Sequence, residues 1–205
     1  MINAPDYVSY QGYATLYGFE QDPGRSEIDM LEMLQTVGFT PSLPGSPGMV
    51  LVLDETCENR RDIAVADFRD TLRRAPSLWF KVWTHESSDL LCRLQRTGGW
   101  WCEYYAIGYL QLGSESLVEG LIKRFRDQAH GHREQLLIVD WQSRAEEVDW
   151  DQIWKKAAVY DGDALDVMGV SERLAPQFRG PLTGSIEQRL PGHRLLMAAA
   201  DRVSG

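Results

Sequence analysis

A chain of 205 residues, 43% hydrophobic and 25% charged, has the composition of a globular protein and excludes a wholly disordered one. No run of about 18 apolar residues is present, so no transmembrane helix and no membrane partner are expected. The first ten residues carry neither basic charge nor an apolar stretch, so no signal peptide is expected either.

Cys57, Cys92 and Cys102 form no C-x-x-C pair. An odd, sparse set of thiols without a secretion signal predicts reduced cysteines in a cytoplasmic protein. The formal net charge of −9 is unevenly spread. Residues 1–59 hold nine acids against the single base Arg25, net −8; residues 60–145 are net +2 and residues 146–205 net −3. This asymmetry predicts an acidic face from the N-terminal part. Such a face repels phosphate backbones, so no nucleic-acid partner is expected, and it attracts a basic protein. Solubility alone is the plainer use of the same charge.

Residues 7–20 are rich in aromatic and β-branched types and read as one long or two short strands, stopped by Asp22-Pro23-Gly24. A helix over 26–37 follows. Ser26 caps it, Glu27 and Asp29 sit in its first turn, and Ile28, Leu31, Leu34 and Val37 form its apolar stripe. The Pro/Gly-rich stretch 40–48 forbids helix and central strand. It reads as a loop within a single α+β domain over 1–205, because the residues before it are too few to make a core of their own.

The continuous apolar run Met49–Leu53, closed by Asp54, predicts a strand buried on both faces, as does Gln135–Val139, closed by Asp140. Between them the pattern predicts a helix over 62–75, a strand over 78–83, a short helix over 88–96 ended by Gly98-Gly99, an aromatic strand over 100–110 and a helix over 114–129. A helix over 148–159, a weakly patterned stretch to residue 192 and a closing helix over 193–203 complete the chain.

The order strand, helix, strand, strand, helix, strand over 49–140 is that of a ferredoxin-like split βαβ unit. The expected fold is therefore α+β, with a mixed or antiparallel sheet and a ferredoxin-like β-α-β-β-α-β core over 49–140. An N-terminal strand and helix are added at one side, and C-terminal helices follow. A mostly parallel sheet would need 88–96 as a crossover helix, for which it is short.

Asp54 and Asp140 end the two buried strands. Aspartates at carboxyl ends of strands collect magnesium in open α/β sheets, and Glu55 could join them in a metal-assisted hydrolase or transferase. A ferredoxin-like sheet runs its first and last strands antiparallel, which sends the two aspartates to opposite edges; an Asp closing a strand is also a routine turn residue. No metal or other cofactor is therefore expected.

His85-Glu86-Ser87 resembles half of a two-histidine phosphoesterase signature whose second half is missing. His130-Gly131-His132 suits a helix terminus as well as a metal. Cys102, among aromatic and acidic neighbours, reads as a buried, inert thiol. No P-loop, G-x-G-x-x-G or G-x-S-x-G motif is present.

Seven tryptophans are the least ordinary feature. Trp79 and Trp83 share a strand face, Trp150 and Trp154 share a helix face, and Trp100 and Trp101 point to opposite sides of a strand, so that one of them is a candidate for exposure. Tryptophan and tyrosine anchor interfaces as well as cores. The functional expectation is a binding protein that grips a basic partner through Glu20, Asp22, Glu27, Asp29 and Glu32, flanked by an exposed aromatic. This resembles an immunity protein or antitoxin in physical type only, with no family motif. The alternative is the small enzyme on Asp54, Glu55 and Asp140.

Overall fold

The computed structural model describes residues 12–19, 25–85, 88–108, 111–130, 134–145, 147–162, 165–179 and 185–198. The expected strand start at 7–11, the turn at 22–24 and the helix residues beyond 198 lie outside these. The protein is α+β, and the described residues place ten strands in one sheet. In chain order the elements are β1 (Gly12–Phe19), α1 (Arg25–Thr36), β2 (Met49–Leu53), β3 (Arg60–Ala64), α2 (Val65–Arg74), β4 (Ser77–Trp83), β5 (Asp89–Thr97) and β6 (Trp100–Ile107). Then come α3 (Ser114–His130), β7 (Gln135–Asp140), α4 (Trp150–Trp154), β8 (Val167–Ser171), a 3-10 turn (Ala175–Gln177), β9 (Ser185–Leu190) and β10 (His193–Ala198).

The sheet order is β3-β2-β4-β5-β6-β1-β7-β8-β10-β9, and every pairing between these strands is antiparallel. The ferredoxin-like core over 49–140 does not form: that antiparallel arrangement sets the first strand of the unit between the third and the last, whereas β2 lies between β3 and β4, away from β6 and β7. Two differences account for this. The segment expected as a short helix over 88–96 is strand β5, in which Leu90, Cys92 and Leu94 are buried on one face while Leu91, Arg93 and Gln95 alternate on the other. Gly98 and Gly99, at φ of 59° and 85°, make a two-residue hairpin turn from β5 into β6 and do not end a helix. The N-terminal strand, moreover, is not added at one side. β1 lies between β6 and β7, the place that a ferredoxin-like order gives to the first strand of the unit itself.

The C-terminal helices are also corrected. Only Trp150–Trp154 of the expected 148–159 helix is helical, and 193–203 begins with strand β10, hairpinned to β9 through Pro191-Gly192. No described helix is long and apolar enough to cross a membrane.

Two layers cover the sheet. On one face, α1, α2 and α3 pack Met30, Leu34, Phe68, Leu72, Leu121 and Phe125 onto Leu16, Val52, Phe80, Leu94 and Leu137. Gly169 lets α3 come close: a Cβ there would lie 2.8 Å from the Phe125 ring. The helix α1 shares this core with β2, so the 40–48 loop joins two elements packed together. On the other face the segment 145–178 lays Trp150, Ile153, Trp154 and Leu174 over Tyr13, Tyr17, Leu136, Ile138 and Met168. Because both faces are covered here, Trp100 and Trp101 are both buried, one in each layer, and neither is the exposed aromatic expected. All six residues of β7 are buried, as its apolar run predicts; each such Leu or Ile contributes about 1.5–3 kcal/mol.

Ion pairs tie the helices to the sheet. Glu27 on α1 takes Arg96 Nη2 of β5 at 2.7 Å and Arg73 Nε of α2 at 3.0 Å, and Arg96 Nη1 also donates to the Leu72 carbonyl. Arg124 of α3 reaches Glu103 of β6 at 2.7 Å, with Tyr105 donating to the same carboxylate oxygen.

Candidate functional site

The structure takes Glu27 out of the expected acidic surface on α1. Glu27 is 0% exposed and locked between two arginines, so it belongs to the core and not to a docking face. The buried side of the helix carries Met30, Met33 and Leu34 beside Glu27; of the stripe Ile28, Leu31, Leu34 and Val37 read from the sequence, Leu34 is buried and the other three are half-buried. Asp29 is half-buried and paired with Arg25 at 2.7 Å. Glu32 is exposed, and Glu20 and Asp22 lie outside the described residues.

The second candidate set is not brought together either. Asp54 and Asp140 end strands that run in opposite directions, five strand positions apart in the sheet. At roughly 4.8 Å per strand that is about 24 Å sideways alone, too far to share a metal. Each is engaged locally. Asp54 folds its own loop, accepting from Asn59 Nδ2, Thr56 Oγ1 and the Glu58 amide, with Asn59 chiefly holding its carboxyl below the ordinary range. Asp140 is buried and accepts the amides of Gln142 and Ala145 and the guanidinium of Arg144. Glu55 is exposed in the Asp54 loop. Among the described residues no group of three His, Cys, Asp or Glu side chains could hold a metal ion.

A different site is built on the second face of the sheet. Strand register sets its floor. Arg93 on β5 lies opposite Tyr104 on β6, and Tyr104 lies opposite Thr15 on β1; in the next row on that face Gln95, Cys102 and Tyr17 are aligned in the same way. Alternation turns all six toward the same side. Thr15 and Cys102 are small among tyrosines, so the surface dips at them. The result is a cleft of about 320 Å³, closed on one side by Val148–Asp151 and lined also by Tyr13.

Hydrogen bonds hold the wall to the floor. Tyr13 Oη donates to the Ala145 carbonyl at 3.0 Å and accepts from Trp150 Nε1 at 2.8 Å. Tyr17 Oη donates to Asp151 Oδ1 at 2.9 Å. Asp149 caps α4 by accepting the Gln152 amide on Oδ1. Both carboxylates make these bonds through Oδ1; Asp149 is exposed and Asp151 half-buried. Tyr104 stacks on Tyr13 at 6.0 Å between ring centroids and meets the Trp79 ring edge-on at 5.4 Å. Arg93 closes the far end, its Nε on Ser77 Oγ at 3.0 Å and its guanidinium 5.3 Å from the Trp79 ring centroid.

Burial raises the Tyr13 and Tyr17 hydroxyls above their ordinary range, so both remain neutral donors. Burial also pushes the Cys102 thiol up to about 12, and its contacts with Thr15 and Tyr17 offset only part of that. Cys102 is thus the inert thiol the sequence predicts, and all three cysteines are free. The cleft offers an acidic lip at Asp149 and Asp151, with exposed Glu147 beside it, over an aromatic floor with one guanidinium at its far end.

Sequence reasoning missed this site because its parts come from four segments. The signals were the alternating Tyr13, Thr15 and Tyr17, and the acid-flanked Asp149-Trp150-Asp151. Comparison with protein-family models, curated proteins and solved structures finds no match to this chain.

Proposed function

We propose that the protein is a binding module for a basic partner protein, and that the contact is the cleft between β5, β1 and residues 148–151 rather than the surface of α1. The observation that carries this reading is the pair of carboxylates of Asp149 and Asp151, each bonded within the protein through Oδ1, lining a cleft with a tyrosine floor. A lysine or arginine side chain suits such a site, with N–H donors for the two carboxylates and a cation for the ring faces. The cleft volume suits one long side chain. The net charge of −9 adds long-range attraction for a cationic partner and disfavours nucleic acid. An inhibitor of the immunity-protein or antitoxin type would use such a surface, with charge setting the encounter rate and the buried side chain the residence time.

The reading is tested by titrating the protein with acetyl-Gly-Arg-Gly-amide and with the same peptide carrying citrulline, followed by tryptophan fluorescence. Trp150 in the wall and Trp79 beside Arg93 report on the cleft. Saturable binding of the arginine peptide, weaker for citrulline and for D149N/D151N, is the expected result. Equal responses to both peptides, or no effect of D149N/D151N, would overturn it.

A further inference from the structure

We infer that β9 is a self-association edge, through which two copies of the chain join their sheets antiparallel about Gln188. The strand ends the sheet order among the described residues, paired with β10 on one side. The two-residue turn Pro191-Gly192 closes on the pair Leu190–His193. In a two-residue hairpin this is a hydrogen-bonded pair, so Leu190, Gln188 and Ile186 spend their backbone groups on β10. The alternate residues, Glu187 and Arg189, then direct N–H and C=O outward.

The sequence of the edge is chemically palindromic. With Gln188 opposite Gln188 of a second copy, Glu187 falls opposite Arg189, and Ile186 falls opposite Leu190, each twice by symmetry. The Glu187–Arg189 pairing joins the outward-directed residues of both strands, as an antiparallel ladder requires, and gives four backbone hydrogen bonds. Glu187 and Arg189 already lie 3.4 Å apart along one strand. A second copy therefore completes a square of alternating charge, with an opposite charge both along and across the strands. On the other side of the sheet Ile186, 58% exposed, gains Leu190 of the second copy as an apolar neighbour, and Gln188 stays held by Arg126 Nε at 3.1 Å. Natural edge strands are usually guarded by like charges, bulges or prolines; this one pairs opposite charges with itself. The occupant fixed by this complementarity is a second copy of the chain.

The test is sedimentation equilibrium of the full chain over a wide concentration range, with E187R, R189E, the double swap E187R/R189E, and Glu187→Pro. The wild type should show a monomer–dimer equilibrium. Each single reversal places like charges opposite each other twice and should weaken it by about tenfold or more, and the double swap should restore it. Glu187→Pro removes an outward N–H while sparing the β10 ladder, so it should abolish the dimer with unchanged circular dichroism. A wild type that is monomeric throughout overturns the inference. So does a dimer indifferent to the single reversals or to Glu187→Pro, or one that the double swap fails to restore.

Discussion

Tyr17 Oη lies 2.9 Å from Asp151 Oδ1, which couples the middle of the central strand β1 to the acidic lip of the cleft. The bond uses one carboxylate oxygen of Asp151 and fixes that side chain against β1. Tyr17→Phe should therefore cost about 1–2 kcal/mol, since it leaves a part-buried carboxylate one donor short, and should loosen the lip. Hydrogen exchange across residues 149–152 is the measurement. Faster exchange there, with β7 unchanged, is expected; unaltered protection would mean the tyrosine does not hold the lip.

Glu27 behaves as a core residue in this account. Its removal takes away a buried carboxylate that receives both Arg96 and Arg73. Glu27→Ala should lower unfolding stability by about 3–5 kcal/mol, the range for breaking a buried pair from one side. Glu27→Lys should be worse, whereas Glu32→Lys on the exposed side of α1 should stay within about 0.5 kcal/mol. Urea denaturation measures all three. Near-zero loss for Glu27→Ala would place α1 in a different rotation.

The pair Glu103–Arg124 is buried yet incompletely bonded: among the described residues Glu103 Oε1, Arg124 Nε and Arg124 Nη2 have no hydrogen-bond partner. Burial raises the Glu103 carboxyl despite the neighbouring guanidinium. Arg124→Met alone should destabilise by about 3–5 kcal/mol, and Glu103→Leu with Arg124→Met should recover part of that loss, because desolvation is then removed along with the attraction while the buried Tyr105 hydroxyl loses its acceptor. A double variant as unstable as the single one would show that the pair stabilises the fold outright.

Alkaline pH should weaken the protein through its two buried thiols, Cys92 and Cys102, both raised by burial. The Cys102 value rises from an ordinary 9.0 to about 12 on folding, so the folded state favours the protonated form. That stabilisation is fully present below pH 9 and is lost as pH climbs from 9 toward 12, where the unfolded chain releases the proton first. Tyr13 and Tyr17, also raised by burial, add to the loss above pH 10. Stability measured at pH 7.5 and 10 should fall for the wild type and fall less for Cys102→Ala. An equal fall in both would exclude Cys102 as the source. In the native state a thiol reagent should modify half-buried Cys57 well before Cys102.

Much of the fold was legible in the sequence where one local signal dominated. The apolar runs of β2 and β7 and the stripe of α3 needed no tertiary information. The segment 89–97 misled because Leu90-Leu91 side by side mimics a helical face, while the sheet on both sides gives each leucine a burial of its own. The Gly98-Gly99 pair suited a helix stop and a hairpin turn equally by composition. Glu27 was unreadable in principle, since its partners Arg73 and Arg96 are 46 and 69 positions away. The cleft was hidden for the same reason: Arg93, Cys102, Thr15 and Asp151 meet only after β1 has inserted between β6 and β7.

The central claim, that the acidic lip and not α1 receives a basic partner, is tested most directly by the association rate of the acetyl-Gly-Arg-Gly-amide peptide. Stopped-flow tryptophan fluorescence would compare the wild type, D149N/D151N and Glu32→Gln. Asparagine keeps the α4 cap and the acceptor for Tyr17 while removing the charge. The account predicts slower association and weaker salt dependence for D149N/D151N, with Glu32→Gln like the wild type. Slowing by Glu32→Gln with D149N/D151N unchanged would contradict it.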